Sequence, residues 1–84
     1  MYEINYRPQA KKALLKLQRN VAGQFRSAFV AIANNQASGL DIKPLAGRPG
    51  FRLRIGQWRA VYTVDHGRLL VVVIKIASRG DIYK

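Results

Sequence analysis

Cysteine is absent from this 84-residue chain, and histidine occurs once. Without thiols there can be no disulfide and no thiolate metal centre, and a single imidazole cannot assemble a zinc site. Acidic residues are scarce as well. Four Asp and Glu stand against fifteen Lys and Arg, a formal net charge of +11. Long apolar runs are also missing: the longest, Leu69–Ile74, is far too short to span a bilayer. Met1-Tyr2-Glu3-Ile4-Asn5 shows no basic segment followed by an apolar stretch, so no signal peptide is expected and a cytoplasmic location is the default. Repeats, linkers and low-complexity segments are not found.

What is present is a hydrophobic fraction of 49%, which places the chain among globular proteins rather than disordered ones. The length suits one domain over residues 1–84. Such an excess of positive charge is best tolerated beside a polyanion, but nucleic acid, an anionic membrane surface and an acidic protein all meet that description.

Hydrophobic periodicity divides the chain in two. Tyr2, Ile4 and Tyr6 alternate with polar residues and predict a first strand. Pro8 stands where a helix can start, and Ala10, Ala13, Leu14 and Leu17 form one apolar stripe. Asn20 is the expected cap of a second helix with the stripe Val21, Phe25, Ala28, Phe29 and Ile32; together they predict an αα-hairpin ending near Asn34-Asn35 and Ser38-Gly39. Gly39 to Gly50, with Pro44, Gly47 and Pro49, reads as a connection.

Beyond it the period becomes two. Phe51, Leu53 and Ile55 alternate with Arg52 and Arg54, Gly56-Gln57 suits a type II′ hairpin turn, and Trp58–Val64 is the return strand. Asp65-His66-Gly67 turns the chain into a nearly continuous apolar strand, Leu69–Ile76. The expected fold is therefore α+β, in the order β-α-α-β-β-β, with the helical hairpin on one face of a small antiparallel sheet. Strand parity then puts Arg52, Arg54 and Arg59 on the face away from the helices, and Lys75 and Arg79, which share parity, extend the row.

Taken singly, each of these residues has a plainer reading. Arg52 and Arg54 suit a solvated strand face, and Lys11, Lys12, Lys16 and Arg19 a wet helix face that can also touch RNA phosphates. Trp58 and Tyr62 suit the core, and His66 suits a turn. Tyr83 can cap a core or stack on an unpaired base.

The stretches Lys43–Gly47, Phe51–Tyr62 and Val73–Tyr83, with the N-terminal Tyr6–Ala10 and Leu14–Leu17, resemble the RelE/ParE superfamily of toxins from type II toxin–antitoxin pairs. The likeness covers nearly the whole chain, and it implies the fold derived above. Its RelE branch implies an endoribonuclease that cleaves messenger RNA in the ribosomal A site, without metal or other cofactor, by attack of a ribose 2′-OH on the adjacent phosphate.

Carried over residue by residue, the resemblance makes Arg52, Arg54, Arg59, Arg79 and Tyr83 the expected catalytic set. Lys11, Lys12, Lys16, Arg19, Lys75 and Lys84 become contacts to RNA or the ribosome. The partners implied are a cognate antitoxin, the ribosome and mRNA, with no membrane. Arg54 departs from the lysine proposed as general base in relatives, and arginine stays protonated. Glu3 and His66 fall on a strand and a turn, so the base stays unassigned. Two rival readings remain: a ParE-like toxin acting on DNA gyrase without nuclease chemistry, and a non-toxic basic RNA- or ribosome-binding module.

Overall fold

Residues 1–78 are described by a computed structural model; Arg79, Tyr83 and Lys84 lie outside the described residues. The first strand, β1, spans Glu3–Tyr6, and the chain then enters α1, Pro8–Lys16, with the proline at its start. Leu17 is extended, and α2 runs over Arg19–Ala33. Asn20 is not the cap expected for it. The connection is so short that Gln18 takes the cap position and Asn20 already lies in the first turn, with no side-chain cap bond in either helix. Helix α2 stops before Asn35, which adopts a left-handed φ of 58°.

Four further strands follow: β2, Asp41–Pro44; β3, Phe51–Ile55; β4, Trp58–Asp65; and β5, Leu70–Ser78. The glycines and prolines around β2 predict a connection there instead of a strand. Four alternating residues ending in a proline carry little strand signal alone, and β2 forms by pairing with β3, at the sheet edge where proline is tolerated. The sheet order is β1-β5-β4-β3-β2. Its neighbours from β2 to β5 are antiparallel, whereas β1 runs parallel to β5, from which the helical hairpin and three strands separate it in sequence.

Two glycines are required by the backbone. Gly56, at φ +60°, forms the first central position of the β3–β4 turn, as a type II′ geometry demands. Gly50, at φ +114°, lies so close to β4 that a Cβ there would meet the Tyr62 carbonyl oxygen at 2.9 Å.

The core lies between the hairpin and the sheet. Phe25 and Phe29 of α2 are fully buried with Leu53, Val71, Val73 and Ile76, and each such burial contributes about 1.5–3 kcal/mol. Phe29 makes edge-to-face contacts with both Tyr6 and Tyr62, at centroid distances of 5.9 and 5.4 Å. Burial raises the hydroxyl pKa of Tyr6, partly offset by nearby Arg26, and pushes that of Tyr62 up to about 12. Phe51 has the predicted parity but is 36% exposed, stacked on Tyr62 at 5.5 Å.

Where β1 ends, β5 continues alone on that side, and a side chain takes over the pairing. Gln9 of α1 donates from Nε2 to the Ile76 carbonyl at 3.0 Å and accepts the Ile76 amide on Oε1 at 2.9 Å. Helix α1 is thereby fastened to the exposed edge of a central strand.

Candidate nucleic-acid interface

Strand register builds the open face of the sheet as rungs of facing residues. One rung is Asp41, Arg54, Arg59 and Ala77, on β2, β3, β4 and β5 in turn. The next is Lys43, Arg52, Val61 and Lys75. Residues paired this way share a face, so two adjacent rungs bring five cations together on the side away from the helices.

Parity alone predicts Arg52, Arg54 and Arg59 there. Lys75 arrives by a different route. Val71 and Val73 face the core, and an unbroken strand would turn Lys75 inward with them. A register shift pairs Tyr62 with Val73 but Val61 with Lys75, leaving Ile74 as the extra residue of a bulge. That bulge moves Lys75 to the cationic face and returns Ile76 to the core.

The row has an internal structure. Val61, between Arg52 and Lys75, is buried although it faces away from the hairpin, as expected where long cationic stems cover an apolar residue. Arg52 has a side chain only 13% exposed and donates from Nη2 to Asp41 Oδ1 at 3.0 Å. Arg54, half exposed, places Nε 3.6 Å from Asp41 Oδ2. Arg59 differs from both: its Nη1 is buried and has no hydrogen-bond partner among the described residues. A desolvated guanidinium N–H on a residue paired with another arginine is costly, and an anion beside it would offset that cost. Beside this row, Lys43, Arg48 and Arg52 line a cleft of about 560 Å³ with Pro44, Leu45 and Ala46.

The lysines predicted on the helices are not part of this site. Lys11, Lys12 and Lys16 of α1 and Arg19 at the start of α2 are exposed on the helical side of the sheet. Lys12 and Lys16 flank a separate notch with Gln9, Leu17 and Trp58. His66 sits in the β4–β5 turn, bonded through Nδ1 to Tyr2 Oη at 2.8 Å. Arg79 and Tyr83 follow β5 in sequence but lie outside the described residues. Asp41 and Lys43 are not among the site residues that the sequence predicts. The polar–apolar–polar order of Asp41-Ile42-Lys43 was the available sign, hidden by the surrounding glycines and prolines.

Among the described residues no group of three or more His, Cys, Asp or Glu could hold a metal ion, and no helix is long and apolar enough to cross a membrane.

Comparison with known proteins agrees with the architecture. Residues 4–83 match the family described as the ParE toxin of the type II toxin–antitoxin system parDE. No curated protein sequence matches. Among solved structures, a metal-bound toxin from Helicobacter pylori superposes with a TM-score of 0.81 at 17% identity, covering 96% of this chain and 98% of that one. The archaeal RelE–RelB complex from Pyrococcus horikoshii gives 0.77 at 24% identity, with 95% and 97% covered. The intact E. coli RelBE toxin–antitoxin complex gives 0.77 at 23%, with 93% and 96% covered. At such identities these likenesses establish a shared fold.

Proposed function

Because the chain belongs to the ParE toxin family of type II toxin–antitoxin systems, within the RelE/ParE superfamily, we propose that it is the RelE-like kind of toxin, a ribosome-dependent endonuclease of messenger RNA. The observation that carries this reading is the Arg54–Arg59 pair, with an Arg59 Nη1 that is buried and unpartnered among the described residues, flanked by Arg52 and Lys75. Guanidinium groups preorganised at one point suit the phosphate oxygens on which charge builds during in-line attack.

In the reaction the ribose 2′-oxygen attacks the adjacent phosphorus and the bond to the 5′-oxygen of the next nucleotide breaks. The products are a 2′,3′-cyclic phosphate and a 5′-hydroxyl. The 2′-OH loses its proton and the leaving oxygen gains one. Arg52, Arg54 and Arg59 hold and stabilise the pentacoordinate phosphorus, whereas none of them can accept the proton. Arg79 is assigned charge stabilisation or acid catalysis, and Tyr83 stacking on a base. Lys11, Lys12, Lys16, Arg19, Lys75 and Lys84 supply phosphate contacts on the ribosome or message. The ribosome aligns the RNA, and a cognate antitoxin silences the protein by covering its basic face; the structural relatives include toxin–antitoxin complexes.

A second reading is favoured by the ParE description of the matching family: inhibition of DNA gyrase without nuclease chemistry. One experiment separates them. Purified protein is added to programmed ribosomes at constant magnesium with transition metals chelated, and mRNA ends are mapped by primer extension. Breaks in the A-site codon are expected, lost in Arg79→Ala while the fold is kept. Intact message, together with gyrase-dependent DNA breaks, would replace the first reading by the second.

A further inference from the structure

The chain has only four acidic residues, and one of them stands at the end of its arginine row. Asp41 is held there by the backbone. Its neighbour Ile42 packs against the core and pairs with fully buried Leu53, so alternation turns Asp41 and Lys43 to the open face. The carboxylate then accepts a hydrogen bond from Nη2 of Arg52 at 3.0 Å and forms an ion pair with Arg54, whose Nε lies 3.6 Å away.

We propose that Asp41 is a positioning residue of the phosphate site, fixing the planes of the Arg52 and Arg54 guanidinium groups so that their remaining N–H groups are presented to the RNA phosphate. This rests on the reading of the arginine row as an RNA site. A guanidinium carries five N–H donors in a rigid fork, so engaging one edge orients the rest. The alternative is that Asp41 occupies the phosphate's own place and competes with it. The register argues against that. Asp41, Arg54 and Arg59 are consecutive across three strands, so Asp41 lies beyond Arg54 on the side away from Arg59. On the β3–β4 side of Arg54, Arg59 is the paired residue, and Asp41 does not stand between them.

The distinguishing experiment compares the wild type with Asp41→Asn and Asp41→Glu, with circular dichroism checking the fold. Two quantities are measured: affinity for a single-stranded oligoribonucleotide, and the maximal single-turnover cleavage rate on programmed ribosomes. Asp41→Asn adds one net positive charge, so affinity is expected to hold or tighten. The maximal rate is expected to fall about 10-fold or more as the arginines lose their alignment. Asp41→Glu should recover part of the rate. A rise in both quantities would identify a competitor and overturn the proposal, as would an unchanged rate.

A readout independent of cleavage keeps this test apart from that of the nuclease reading. The Arg52 Nη2–H resonance should exchange with solvent more slowly in the wild type than in Asp41→Asn. Equal exchange would overturn the positioning role whether or not the protein cleaves RNA. Slowed exchange in a wild type that leaves the message intact would retain the alignment by Asp41 and remove only the nuclease reading.

Discussion

Arg59 stands directly across the β3–β4 pair from Arg54, cation paired with cation, and among the described residues only Arg54 of the two has a carboxylate beside it. Like charges so placed repel, and the buried Nη1 of Arg59 adds the cost of lost hydration. Such an arrangement opposes folding and favours an anionic ligand. Arg59→Gln is therefore expected to stabilise the free protein by about 0.5–1 kcal/mol, which for a domain of this size raises Tm by roughly 2–8 °C. The same change should lower cleavage by about 100-fold or more through loss of a preorganised donor. Thermal denaturation and primer extension on one preparation check both; a variant that is less stable and fully active would remove Arg59 from the site.

The Gln9 amide pairs with both backbone groups of Ile76 where β1 no longer reaches. Gln9→Ala is expected to cost about 1–2 kcal/mol, since it leaves two strand groups without their partner. Gln9→Glu keeps the acceptor and loses the donor, so it should fall between. Urea denaturation measures the stability, and hydrogen exchange at the Ile76 amide should quicken selectively.

At alkaline pH the tyrosines set the behaviour. Burial holds the Tyr62 hydroxyl protonated up to about pH 12, whereas an unfolded chain releases that proton near the ordinary value of 10. Between these values the unfolded state binds fewer protons, so stability falls as pH rises from 10 to about 12. Tyr6 shifts in the same direction and adds to the decline. Tyr62→Phe should flatten the pH dependence without abolishing it, as read from denaturant midpoints across that range.

Gly50 tests the packing of the β2–β3 connection on β4. A methyl group there would press on the Tyr62 carbonyl oxygen at 2.9 Å, and its φ of +114° is strained for any L side chain. Gly50→Ala is expected to destabilise by about 1–3 kcal/mol. Gly47, also at positive φ but with open space around it, provides the control: Gly47→Ala should cost less.

How far the sequence determined this protein follows from the range of each interaction. Alternation over Phe51–Ile55 and Trp58–Val64 is a local property, so the sides taken by Arg52, Arg54 and Arg59 could be read directly, as could the two helix stripes and the glycine turn at Gly56. The identity of the family was likewise legible in the order and spacing of short motifs. The strand β2, the bulge at Ile74 and the Gln9 clamp were not, because each exists only through hydrogen bonds to residues distant in sequence. Tertiary structure alone supplied the bulge by which Lys75 joins the row, and placed Asp41 beside Arg54. Period two assigns a side chain to a face; which partner it meets there is decided by register, and register is a property of the whole sheet.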